Sequence, residues 1–202
     1  MRRFLAILVI TLGASLAITA QEHTKRTPTP GPSATPPRTT PTPPRTTPTT
    51  DANTGGWVKF NSTLGAFSVL MPAMPEEKTE TTPSDHGPYT THLFIARDTN
   101  NVYLIGWVDY DPSFSFNKRS ELIANRDNFI KGINATLLSS QTLTLDGYDA
   151  IEFSAETQGR IFRSRVYMVG RRPYQIVIGY PKDSADTNVI NRFFNSFKVR
   201  LS

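Results

Sequence analysis

The chain has 202 residues, no cysteine, 16 prolines and a formal net charge of +5. The lack of cysteine excludes disulfides, thiolate nucleophiles, cysteine metal sites and a lipid carried on an N-terminal cysteine. The charge does not point to nucleic acid: Arg2, Arg3, Lys25, Arg26, Arg38 and Arg45, set against Glu22, account for all of it and leave the residues after Thr50 balanced, whereas phosphate binding needs clustered basic groups.

The N-terminus reads as an export signal. Arg2 and Arg3 form a basic start, and residues 4–17 are an apolar run broken by Thr11, Gly13 and Ser15. That run is shorter than the roughly 20 residues of a membrane span. Residues 1–20 are expected to be removed by cleavage between Ala20 and Gln21. Cleavage after Ala17 is the runner-up, because Ile18 is larger than the small residue usually found there. An uncleaved signal would instead anchor the chain in a membrane, and the arginine pair also admits twin-arginine export.

Residues 21–56 carry nine of the 16 prolines, almost no large apolar side chains, and the unit Pro-Pro-Arg-Thr-Thr-Pro-Thr twice in succession. Proline fixes φ and removes backbone donors, so this Thr/Pro-rich segment is expected to be a disordered linker, extended and polyproline-II-like. Its threonines could carry O-linked sugars. Its basic residues allow weak contact with an anionic membrane or cell-wall surface.

Residues 57–202 have the length of one domain with a core of its own. "WVKFN" and "FSVLMP" read as short strands, the second stopped by Pro72 and Pro75. "YTTHLFIARDTNNVYLIGWVDY" reads as a long hairpin turning at residues 98–101. A helix follows with Asn117 as N-cap and Leu122, Ile123, Phe129, Ile130 and Ile133 on one face. Four strands in a meander come next: "TLLSSQTLTL", "YDAIEFSAE", "RIFRSRVYMV" and "PYQIVIGYP". Their expected turns lie at Asp146-Gly147, Gln158-Gly159 and Arg171-Arg172. A last helix over about 186–196 puts Val189, Ile190, Phe193, Phe194 and Phe197 on a stripe. The fold class is α+β, an antiparallel sheet covered by helices.

"GAFSVLMP" at 65–72, "LDGYDAIEF" at 145–153, "RVYMVGRRPYQIVIG" at 165–179 and "FFNSFKV" at 193–199 resemble the PsbP-like fold across 57–202. That fold is shared by the extrinsic P subunit of photosystem II, a nuclear-import factor that binds a small GTPase, and many exported bacterial proteins of unknown function. The resemblance implies an α/β/α sandwich and a non-enzymatic binding role. A Thr/Pro spacer stands where the photosynthetic branch has a segment contacting the photosystem, so a photosystem role is not implied.

Two constellations carry chemistry. Pairing Arg97 with Val102 in the first hairpin sets His92 opposite Trp107 and Thr90 opposite Asp109, which puts His92, Asp109 and Asp111 on one face. An imidazole beside carboxylates suits acid–base chemistry or half of a metal site. Asp111, before Pro112, also suits a turn cap, and the other histidines, His23 and His86, lie in the linker and in a turn. The second constellation is basic. Pairing across Gln158-Gly159 sets Glu152 opposite Arg165 and Ser154 opposite Arg163, an ion-paired outer face where Arg163, Arg165, Arg171 and Arg172 could receive an anionic ligand. Asn61 and Asn134 begin glycosylation sequons. No P-loop, Rossmann glycine run, nucleophile elbow, HExxH or EF-hand loop is present, so no cofactor is expected. The reading is an exported, non-enzymatic binding or assembly module whose partner is a protein or small molecule. The alternative is a weak hydrolase or metal-dependent enzyme using His92 and Asp109.

Overall fold

The structure, a computed structural model, describes residues 56–200 apart from 86 and 116. The expected signal, the Ala20–Gln21 cleavage point, the linker up to residue 55, His23 and His86 therefore lie outside the described residues. The elements run β1 Val58–Ser62, β2 Phe67–Met71, β3 Glu76–Thr82, β4 Tyr89–Arg97, β5 Val102–Tyr110, α1 Lys118–Gly132, β6 Thr136–Leu145, β7 Tyr148–Thr157, β8 Arg160–Val169, β9 Arg172–Pro181, α2 Thr187–Ser196 and β10 Lys198–Val199. They form a seven-stranded sheet in the order β3-β4-β5-β9-β8-β7-β6 and a three-stranded sheet in the order β1-β2-β10. Every pairing is antiparallel.

Apolar alternation sets the register. In the first hairpin, whose strands are buried on both faces, the turn at residues 98–101 sets it instead: Arg97 faces Val102, His92 faces Trp107 and Thr90 faces Asp109. Glu152 faces Arg165 and Ser154 faces Arg163 across the β7–β8 turn. The β8–β9 turn differs from expectation: it occupies Gly170 and Arg171, and Arg172 already belongs to β9 opposite Val169. A two-residue hairpin turn needs a positive φ at its first position, and Gly170 supplies it at 61°. Strand β3 was not foreseen either. Its sequence EEKTETT is almost wholly exposed, because an edge strand has little to bury and so shows no apolar alternation.

Helix α1 begins where the Asn117 side chain accepts the Ser120 N–H at 3.1 Å. It ends in a Schellman arrangement: Ala135 N–H reaches Ile130 O at 3.0 Å and Asn134 N–H reaches Lys131 O at 3.2 Å, with Asn134 at φ 50°. Leu122 and Phe129 of α1 pack on Ile151, Phe153, Phe162 and Val166, which all lie on one face of the large sheet. On the opposite face Phe67 and Val69 of β2, together with Ile190, Phe193 and Phe194 of α2 and Phe197 just after it, close over Trp107, Tyr167, Tyr174 and Ile176. The architecture is α+β, but sheet dominates it. One face is covered by α2 jointly with the small sheet rather than by helix alone.

Candidate functional site

The first constellation forms at the end of β5 and gains a member that the sequence reading assigned elsewhere. Trp107 pairs with Tyr174 across β5 and β9. Two residues further along each strand, on the same face, lie Asp109 and Arg172. Arg172 Nε donates to Asp109 Oδ1 at 2.7 Å, and Trp107 Nε1 donates to Asp109 Oδ2 at 3.0 Å. His92 Nε2 lies 3.4 Å from the same Oδ2. The His92 ring stacks on Trp107 with centroids 4.4 Å apart at 13°, and its Nδ1 meets Thr79 Oγ1 at 3.2 Å. The tautomer protonated at Nε2 satisfies both contacts. Arg172 also reaches Leu64 O and the Tyr174 hydroxyl, each at 3.2 Å, and Tyr174 donates to Gly65 O at 2.8 Å. The cluster thus fastens the β1–β2 connection to the large sheet.

His92 is only 6% exposed. Burial holds its imidazole below the usual value; Asp109 and Glu77 pull upward, and the nearby Arg172 adds to the lowering. Asp109 is engaged by Arg172 and Trp107 and leaves little capacity to act as a base. Asp111 does not join them. It accepts the N–H and hydroxyl of Ser113 at 2.9 and 2.6 Å, a turn cap whose hydrogen bonds hold its carboxyl below the ordinary range. Among the described residues no group of three or more His, Asp and Glu is arranged to hold a metal ion.

The arginines do not form one surface. Arg163 Nη2 and Arg165 Nε donate to the two oxygens of Glu152 at 2.9 and 2.6 Å. The expected outer face is in fact the face that α2 covers: the Arg165 guanidinium lies 4.6 Å and that of Arg163 5.9 Å from the Phe194 ring centroid. The alternation was read correctly, but which side faces solvent was not, because α2 is distant in sequence. Arg171 and Arg172 sit at the other end of the strands, where Arg171 donates to the carbonyl of Phe114 and Arg172 holds Asp109.

A cleft of about 290 Å³ opens beside the β6–β7 turn, lined by Asp146, Tyr148, Tyr167, Phe197, Lys198 and Val199. Tyr167 and Phe197 make an aromatic floor, and Lys198 Nζ stands 3.5 Å from Asp146 Oδ2 at the rim.

No family model matches the chain and no curated protein matches it. Among solved structures, the chain is similar to the solution structure of cyanobacterial PsbP (CyanoP) from Synechocystis sp. PCC 6803. The TM-score is 0.51 at 13% identity, over 75% of this chain and 98% of that one. The domain has a PsbP-like fold.

Within this PsbP-like domain one polar group escaped the sequence reading. Glu121 and Asn125 are buried on α1. Asn125 Nδ2 donates to Glu121 Oε1 at 3.0 Å, and the Tyr110 hydroxyl donates to the same oxygen. Burial raises the Glu121 carboxyl above its ordinary value, although both hydrogen bonds oppose that. The only sequence signal was spacing: Leu122, Asn125 and Phe129 fall on one helical stripe. Among the described residues no helix is long and apolar enough to cross a membrane.

Proposed function

We propose that the protein is an exported, non-enzymatic binding or assembly module, a PsbP-like domain displayed on a Thr/Pro-rich spacer. One observation carries the non-enzymatic part: the side chains best suited to chemistry are engaged with one another. Asp109 is held by Arg172 and Trp107, Glu152 by Arg163 and Arg165, and His92 is stacked, buried and in contact at both nitrogens. A general base needs a free lone pair within reach of substrate. These groups tie strands together instead. The partner is a small ligand, for which the cleft beside the β6–β7 turn is the candidate seat, or a protein. Export rests on the basic and apolar start of the chain.

The test is a panel of ester, phosphate and peptide substrates, run with and without zinc or magnesium on wild type and His92→Ala. No turnover that depends on His92 is expected. Saturable turnover lost in His92→Ala, with the fold retained by circular dichroism, would establish the enzyme reading instead. The intact mass of the exported protein checks the other half, with a mature chain beginning at Gln21 as the expected result.

A further inference from the structure

The large sheet has two edges built on opposite plans. Strand β3 carries Glu76, Glu77, Lys78 and Glu80 among its seven residues, and such charges discourage edge pairing. Strand β6, TLLSSQTLTL, has ten residues without a charge or a proline, and among the described residues it pairs only with β7. Leu137 and Leu138 near its start are exposed at 40% and 50%.

The hairpin turn shows which backbone groups of β6 are open. Asp146 and Gly147 have φ of 51° and 82°, and the pair flanking them is Leu145 with Tyr148. In such a turn the flanking residues exchange backbone hydrogen bonds. Bonding alternates along an antiparallel ladder, so Leu145, Leu143, Gln141 and Ser139 bond inward to β7. Thr144, Thr142 and Ser140 turn their N–H and C=O outward. A bulge between Leu137 and Ser139 ends the regular ladder, which leaves residues 139–145 as the open edge.

We propose that this edge pairs antiparallel with the same edge of a second copy of this chain, around a two-fold axis through Thr142. That register sets Thr142 against Thr142, Ser140 against Thr144, Gln141 against Leu143 and Ser139 against Leu145. Hydroxyl residues face one another on the α1 side, a favourable cross-strand pairing, with the Ser140 hydroxyl already accepting from Arg126 Nη1 at 2.9 Å, and no like charges of the two strands meet. The three outward residues exchange about six hydrogen bonds, two per bonded pair. Two further features favour a second copy over a foreign peptide. The strand itself carries no charged residue to select another sequence, Arg126 of α1 reaching it at Ser140 Oγ (2.9 Å), and self-pairing closes about a two-fold isologous axis. The exposed Leu137 and Leu138 then approach the partner copy's β6–β7 turn. The contact is smaller than a standard interface, so the dimer is weak and populates at high concentration. This inference is independent of the proposed binding role.

Sedimentation of the full chain from micromolar to near-millimolar concentration should show reversible dimerisation. Thr142→Lys, at an exposed position, should abolish it without altering the thermal melt, because two ammonium groups would meet on the axis. Register is tested by cross-linking, which is unambiguous in a chain without cysteine. Thr142→Cys should form a disulfide-linked dimer on oxidation, since a hydrogen-bonded pair places Cα atoms about 5.5 Å apart. Thr144→Cys should not, its copies standing four residues apart. A monomer at all concentrations with no Thr142→Cys cross-link overturns the proposal, as does a dimer indifferent to Thr142→Lys. A monomeric chain that instead binds an extended peptide in a Thr142→Lys-sensitive way overturns it in favour of that peptide.

Discussion

Glu152 and Asp109 lie on the same face of the large sheet, each held by arginine near an aromatic ring, and they differ mainly in depth. The Glu152 side chain is 15% exposed and sits between Arg163 and Arg165 under Phe194. The Asp109 side chain is 35% exposed and faces one arginine, an indole N–H and a buried imidazole. A buried carboxylate with two arginines is costly to disturb, because removing one partner strands the others. A pair about a third exposed is partly screened by water and contributes less. The same chemistry therefore contributes more in the deeper place than in the shallower one.

The roof over the deeper cluster should matter most. Phe194→Ala removes a buried ring and uncovers Arg165, and urea titration should show a loss of about 3 to 5 kcal/mol. A loss under about 1 kcal/mol would mean that α2 does not seal that face. Next comes the contrast itself. Glu152→Gln should cost about 2 kcal/mol, the range for hydrogen bonds to charged groups, whereas Asp109→Asn should cost about 1 kcal/mol or less. Equal costs would show that depth is not what separates the two clusters.

The smallest effect is in the pH dependence. His92 is neutral-preferring in the folded state, with a value below the ordinary 6.5. Its contribution is complete above 6.5 and is lost as the pH falls from there toward the lower folded value. For Glu152 burial alone would raise the carboxyl, but the hydrogen bonds and charges of Arg165 and Arg163 outweigh it and hold it below the ordinary 4.5. Its contribution is lost only below 4.5. Thermal melts on descending pH should show both losses. His92→Gln should flatten the upper one and leave the lower intact; an unchanged upper slope would remove His92 from the pH response.

What could be read from residues followed burial. The β4–β5 register was legible from the turn at residues 98–101 between two apolar runs, which are buried on both faces, the β7–β8 register from its alternation of core and charged residues, and Asn117 as a cap because it precedes an apolar stripe. Strand β3 was not, since a solvated edge leaves no apolar period. Arg172 was placed in a turn because the Arg-Arg pair masked the requirement for positive φ that Gly170 meets. The union of Arg172 with Asp109 and His92 joins three strands, β4, β5 and β9, and no local pattern encodes a contact between residues so far apart. The burial of Arg163 and Arg165 depended in the same way on α2.

Strand β2 lies between β1 and β10, with Leu70 N–H donating to Ser196 Oγ at 2.9 Å and Arg200 N–H to Ala66 O at 2.7 Å. Phe60, Phe67, Val69 and Met71 are made early on the ribosome, yet they share a core with Phe193, Phe194 and Phe197, which are made more than a hundred residues later. Until that later segment emerges, the nascent polypeptide carries an unsatisfied apolar surface of the kind that chaperones hold and proteases clear. A premature stop before residue 193 would therefore yield a client for quality control rather than a smaller domain.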